Sequence, residues 1–183
     1  MRVAYVIAAH RGLGQLERLI RRLDDDQTTI VVHVDRRAGE AAYVELRRRT
    51  ADLDRVRWLP RHLGYWGGFG VVRAALEGIR LLEADALDYD YAALLSGQDY
   101  PLRSPSAIRD ALAEAEGHSF MTYHRLPFEG WGPRGGFDRV EDWHLVSRVA
   151  LHVRLPRKRR VPGGLEPYGG GRPWFLRREA VRY

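Results

Sequence analysis

The sequence predicts one α/β domain: a mostly parallel sheet with helices on both faces. Three observations carry this. Short apolar or β-branched runs alternate with helical segments through the first two-thirds of the chain. Most of these runs are apolar at successive positions, as strands buried on both faces are. Three of them stop in polar or glycine-rich turns: His33-Val34-Asp35, the loop through Tyr65-Trp66-Gly67-Gly68, and Ser96-Gly97-Gln98-Asp99-Tyr100-Pro101. Such turns lie where α/β proteins hold their ligands, so nucleotide binding is the first expectation.

The elements follow in order. Val3 to Ala9 reads as a buried strand, and the segment Leu13 to Leu23 repeats Leu16, Leu19, Ile20 and Leu23 at helical spacing. Thr29 to Val34 is a β-branched strand, Glu40 to Arg49 a helix and Arg55 to Leu59 a third strand. Val71 to Leu82 places apolar residues at 71, 72, 75, 76, 79 and 82, a long helix. Tyr91 to Leu95 is the next strand, followed by a helix from Pro105 to Glu116 capped by Ser104, and a strand from Ser119 to Tyr123. Beyond Arg125 the pattern degrades. Phe128 to Asp142 and Val161 to Pro173 are Gly/Pro-rich and read as mobile and ligand-facing. Trp143 to Val153 reads as one strand and Trp174 to Leu176 as another, while Trp131, Trp143 and Trp174 are expected to pack the sheet. Arg178 to Tyr183 has the composition of a helix start without a stop signal, so the chain reads as cut off. The single domain 1–183 thus divides into a nucleotide-binding α/β part, 1–125, and an irregular acceptor-side part, 126–183.

Composition narrows the class. A length of 183 residues with 45% hydrophobic and 30% charged residues suits a water-soluble globular domain. The absence of cysteine excludes disulfides and thiolate metal sites. No apolar run reaches the roughly 20 residues of a membrane helix, and Met1 to Ala9 is too short for a signal peptide, so a cytoplasmic location is expected. The net charge of +6 sits in the last third, and all but Lys158 of the basic residues are arginine. An anionic partner fits: a nucleotide diphosphate, a nucleic acid or a lipid surface.

Gly12-Leu13-Gly14 with Asp35 further on imitates a dinucleotide fingerprint, but position 17 is Glu where the third glycine belongs. NAD is therefore disfavoured. Asp35 keeps its value, because a carboxylate at the end of the second strand can hydrogen-bond a nucleoside. Asp88-Tyr89-Asp90 spells a metal-binding D-x-D but precedes its strand, the wrong end for a ligand. Asp99 stands alone, and His33 with Asp35 lacks a third ligand, so no metal is expected. Trp66 before Gly67 offers a flat ring beside accessible backbone for a nucleoside or sugar. His10 ends the first strand and can face the base. Arg157 and Arg159, in the run Arg157-Lys158-Arg159-Arg160, are candidates for neutralising a diphosphate, against the bland reading of a solvated loop.

Ala4-Tyr5-Val6-Ile7-Ala8-Ala9-His10, Ile30 to Asp35, Tyr65-Trp66-Gly67-Gly68-Phe69, Leu94 to Pro101, and Tyr168-Gly169-Gly170-Gly171 with Leu176 to Tyr183, taken in this order and spacing, resemble the core-2/I-branching family. That family holds β-1,6-N-acetylglucosaminyltransferases and peptide O-xylosyltransferases. The resemblance implies a GT-A-like, Rossmann-like fold, a UDP-sugar donor carrying GlcNAc or xylose, a hydroxyl acceptor of unknown kind, inversion at the anomeric carbon, and no metal or other cofactor. It implies that Asp35 and Trp66 contact the uridine and that Asp99 lies near the donor. It also places the usual base, and the Arg and Lys that bind the diphosphate, beyond Tyr183, so the chain is expected to be a C-terminally truncated glycosyltransferase or its donor-binding portion. An acidic residue that some xylosyltransferase-like members carry after the Gly-Gly step falls on Arg172, which cannot accept a proton.

The ranking is therefore an inverting, metal-independent UDP-sugar glycosyltransferase first, with donor-site residues His10, Asp35, Trp66, Gly67 and Asp99. A basic nucleic-acid-binding module using the arginine-rich last third is the alternative; nucleic acid is not the expected partner, and a peripheral membrane contact has no support in these residues.

Overall fold

The computed structural model describes residues 1–65, 67–146 and 152–182. Its centre is a six-stranded sheet formed by β1 (Val3–Ala9), β2 (Thr28–Val34), β3 (Val56–Trp58), β4 (Tyr91–Ser96), β5 (Phe120–Arg125) and β8 (Tyr168–Arg177). The order is β3-β2-β1-β4-β8-β5, with β1 to β4 parallel and β8 antiparallel to both its neighbours. A mostly parallel sheet with helices on both faces is what the apolar runs imply, because a strand apolar on every residue must be covered twice.

The two faces are covered by different helices. Val3, Tyr5, Ile7 and Ala9 point into one core with Leu16, Leu19, Ile20 and Leu23 of α1 (Leu13–Leu23), Leu46 of α2 (Glu40–Arg49) and Leu112 of α4 (Pro105–Glu114). Ala4 and Val6 point to the other side, toward Leu82 of α3 (Phe69–Ala84) and Val181 of α6 (Arg178–Arg182). Gly78 lets α3 lie close on β1: a Cβ there would stand 2.4 Å from Val6 Cγ1. α4 starts where its cap predicts, with Ser104 Oγ accepting the Ala107 N–H at 3.2 Å and Pro105 in the first turn.

β1 is flanked by β2 on one side and β4 on the other, so the chain winds outward in both directions from it. The carboxyl ends of β1 and β4 therefore diverge at a topological switch point, where open α/β sheets form a crevice.

The last third departs from the sequence expectation in two ways. Trp143 to Val153 is not one strand. β6 (Asp142–Val146) and β7 (His152–Lys158) form a separate antiparallel pair, with Trp143 opposite Leu155 and Leu145 opposite Val153. Both strands carry the same period-2 pattern, so alternation alone did not mark where one ended. The second departure is β8, ten residues long rather than confined to Trp174–Leu176, and running straight through Gly169 to Gly171. Two of the glycines that suggested an irregular loop are needed in this strand. A Cβ at Gly169 would lie 2.0 Å from the Trp131 ring and one at Gly170 2.1 Å from the Thr122 carbonyl. The segment read as mobile also holds a 3-10 turn at Glu129–Trp131 and the short α5 (Phe137–Glu141), wrapped on a cluster in which His124 stacks on Phe128 at 4.0 Å and Trp131 meets both edge-on. Of the three tryptophans expected to pack the sheet, Trp174 does so and Trp131 covers its Gly169 edge, but Trp143 stands half-exposed on the small sheet.

Candidate functional site

A cleft opens over the carboxyl ends of β1, β2 and β4 and is walled by the start of α3. Ala9 and His10 come from β1 and its exit, His33 and Asp35 from β2 and its exit, Ser96 from β4, and Gly64, Val71 and Ala74 from the loop and helix above. Arg37 and Arg172 complete it. Ser96 and Arg172 also line an adjoining crevice with Leu95, Asp99 and Pro173.

Asp35 is 2% exposed and fully engaged. Its Oδ1 accepts the Arg37 backbone N–H at 2.8 Å and Nε–H at 3.1 Å; its Oδ2 accepts the Arg37 terminal N–H and the Gly64 backbone N–H, each at 2.8 Å. Burial works to raise this carboxyl. Arg37 and the two backbone donors outweigh it and hold the group below the usual carboxylate range. The carboxylate thus caps the turn after β2 and lines the cleft. Through Gly64 it also ties the loop that leads into α3 to the end of β2.

That turn is further fixed by Arg61, whose guanidinium donates to the carbonyls of Val34, Asp35, Arg36 and Gly39 at 3.1 to 3.3 Å and pairs with Glu40 while lying 4.4 Å from the Tyr43 ring centre. Below it, His33 and His62 pack ring against ring at 4.0 Å. His62 Nε2 donates to the Gly70 carbonyl at 2.8 Å, and its Nδ1 faces Glu77 Oε2 at 3.4 Å. Burial, with His62 adding to it, pushes the His33 imidazole down to about 4, so His33 is neutral at physiological pH. Gly70 must be glycine, since a Cβ would meet the Leu63 carbonyl at 2.3 Å.

The β4 exit is built as tightly. Ser96 N–H donates to Asp99 Oδ2 at 2.7 Å, Asp99 N–H returns to the Ser96 carbonyl at 3.0 Å, and Gly97 N–H reaches the Ala8 carbonyl at 3.0 Å. A Cβ at Gly97 would lie 2.5 Å from that of Ala9, so only glycine lets the turn press on β1.

The predicted site residues therefore divide. His10, Asp35 and Arg37's partner loop share the main cleft, while Asp99 stands in the adjoining crevice across Ser96. Gly67, at φ +75°, is exposed just before α3; Trp66 lies outside the described residues. Arg157 and Arg159 are not brought to the cleft. Both belong to the end of the small sheet, where Arg159 donates to the Val140 carbonyl and stacks over Trp143, because β7 leaves the main sheet altogether. Asp88 and Asp90 sit at the opposite end of the sheet, pairing with Arg2, as their place before β4 requires. His33 belongs to the packed floor.

The cations at the cleft are instead Arg37 and Arg172, with His10 beside them. Partial burial, then Arg11 and Arg37, lower the His10 imidazole against the pull of Asp35, and Arg172 adds to the lowering. Sequence reading missed Arg37, Arg61, His62 and Arg172 as site-builders. Only Arg37 left a local signal, two residues from the carboxylate it pairs with.

Residues 3–181 match the family model described as Core-2/I-Branching enzyme. The chain belongs to this family. It is 30% identical over 189 residues to Xylosyltransferase 2 of Canis lupus familiaris, covering all of this chain and 21% of that protein, and 26% identical over 187 residues to Xylosyltransferase 1 of Homo sapiens, covering all of this chain and 19% of that one. This Core-2/I-branching chain thus spans about a fifth of the length of the relatives it matches. Among solved structures, S. aureus TarS overlays with a TM-score of 0.44 at 13% identity over 66% of this chain and 21% of that one, a likeness too loose to bear on the site. Among the described residues, no helix is long and apolar enough to cross a membrane.

Proposed function

We propose that this chain forms the donor site of a glycosyltransferase that takes a sugar from a UDP-sugar and passes it to a hydroxyl group with inversion, without a metal. The observation that carries the reading is the cleft at the switch point, where Asp35 clasps the Gly64 loop and Arg37 at the ends of β1, β2 and β4. A nucleoside entering there meets an apolar floor of Ala9, Val71 and Ala74, a rigid turn, and a rim of positive side chains. This suits a planar base followed by an anionic tail. The relatives named as xylosyltransferases make xylose the first donor sugar to try, with GlcNAc as the second.

In an inverting transfer the acceptor oxygen attacks the anomeric carbon as its proton passes to a base, while the bond to the diphosphate oxygen breaks on the other side. The part assigned to these residues is to hold the uridine and to meet the charge that grows on the departing UDP. Guanidiniums can meet that charge through paired N–H donors.

Calorimetric titration of the chain with UDP, with and without EDTA, tests the reading. Saturable binding that EDTA leaves unchanged and that Asp35→Ala weakens at least tenfold is expected. Binding that vanishes with EDTA would overturn the metal-free mechanism, and a folded chain that ignores UDP would overturn the donor site itself.

A further inference from the structure

Resting on that donor-site reading, we infer that Arg172 of β8 is the residue that grips the diphosphate of the nucleotide. Among the described residues it is the one cation that lines both the main cleft and the Asp99 crevice.

The layout is linear. Asp35 and Gly64 mark the nucleoside end of the cleft, Asp99 marks the far crevice, and Ser96 with Arg172 forms the boundary between them. A UDP-sugar has the same order: base and ribose, two phosphates, sugar. With the nucleoside over Asp35 and the sugar toward Asp99, the phosphates fall at the boundary. The sheet register puts Arg172 there. Leu94 of β4 is paired with Trp174 of β8, the last rung toward the cleft. Two residues further along each antiparallel strand are Ser96 and Arg172, so the guanidinium stands across from the turn that holds Asp99.

Arg172 is also uncommitted. Among the described residues its side chain makes no ion pair and no hydrogen bond, whereas Arg37 is clasped by Asp35, Arg61 holds four carbonyls and Arg159 is tied to Val140. The carboxylates nearby do not answer it: Asp35 is engaged with Arg37, and Asp99 Oδ2 accepts the Ser96 N–H. An exposed arginine with free donors beside a cleft whose only buried carboxylate is already paired is suited to an anionic ligand. Beside it, Gly171 has open space around it, with nothing within 4 Å of where a Cβ would stand. Arg172 thus serves the leaving group, not the acceptor proton.

Calorimetry on the whole chain with uridine, UMP and UDP tests this, with Arg172→Ala and Arg172→Lys beside the unaltered protein and circular dichroism confirming that each is folded. The unaltered chain should bind UDP about 10- to 100-fold more tightly than uridine, the range of one or two charge-assisted hydrogen bonds. Arg172→Ala should lose most of that difference while uridine affinity stays within about twofold, and Arg172→Lys should restore part of it. A structural role would instead weaken uridine and UDP alike. If Arg172→Ala keeps the full preference for UDP, the inference falls while the donor site stands. If the unaltered chain binds neither uridine nor UDP, the donor-site reading falls and takes the inference with it.

Discussion

The strands around β1 and the strands after residue 119 belong to one chain but are built to different rules. β1 and β2 are buried along almost their whole length on both faces, and the helices over them bury Leu16, Leu19, Ile20, Leu23 and Leu82 completely. β5 is exposed at five of its six positions, and the β6–β7 pair turns Trp143, Leu145, Val153 and Leu155 to one open face. The cleft draws its rigid parts from the first region, the turns after β1, β2 and β4, and takes only Arg172 from the second. The turns that line the cleft are thus fixed by buried, close-packed strands, whereas Arg172 comes from an exposed stretch of β8.

The sharpest way to test that contrast is to cut into the first region. Leu19 is fully buried between α1 and the sheet, so Leu19→Ala removes burial and leaves a cavity that close packing cannot refill. A loss of about 3–4 kcal/mol in urea unfolding is expected, with UDP binding abolished in parallel at temperatures where the variant unfolds. A loss below about 1 kcal/mol would mean that this core is not the rigid support of the cleft.

Next in size is the effect of pH through the floor of the cleft. His33 is 3% exposed, and burial, then His62 and Arg61, disfavour its proton, while Asp35 and Glu77 favour it. Its folded value is about 4 against 6.5 for the free side chain. In the unfolded chain it therefore takes a proton that the folded chain refuses. Its contribution is complete above about pH 6.5 and is lost as the pH falls toward 4, amounting to at most about 3 kcal/mol. His33→Asn, whose amide oxygen can still accept the His62 N–H that His33 Nε2 accepts at 3.3 Å, should flatten urea-unfolding stability across that window. An unchanged slope would move the acid sensitivity to other groups and leave the floor of the cleft without this role.

The same contrast explains what could be read from the chain beforehand. β1, α1, β2, α2, β3, α3, β4 and α4 were legible to within two or three residues at each end, because burial on two faces and helical spacing leave their period in the sequence and Ser104 marks a start. Asp35 was legible as a carboxylate at a strand end. Arg61 and Arg172 were not: Arg61 holds carbonyls more than twenty residues away in sequence, and Arg172 reaches the cleft only through the register of β8 against β4. Gly169 and Gly170 misled because glycine in sequence signals a turn, whereas here they clear the path of Trp131 and Thr122. Arg157 and Arg159 misled for the reverse reason, since a run of charge says nothing about which sheet will carry it.

The smallest expected effect bears on the open faces of the second region. Met121 on β5 and Leu145 on β6 are 49% and 58% exposed, so replacing either by threonine removes little buried surface and introduces a β-branched residue suited to a strand. Each should cost less than about 0.5 kcal/mol in urea unfolding of the dilute chain, and neither should alter its UDP affinity. The comparison fails in an informative way if Leu145→Thr costs as much as about 2 kcal/mol, or if that cost grows with protein concentration in sedimentation-matched samples. Either result would show that the face shared with Trp143, Val153 and Leu155 is covered when the protein is in solution, and that the second region too has a core, made between molecules.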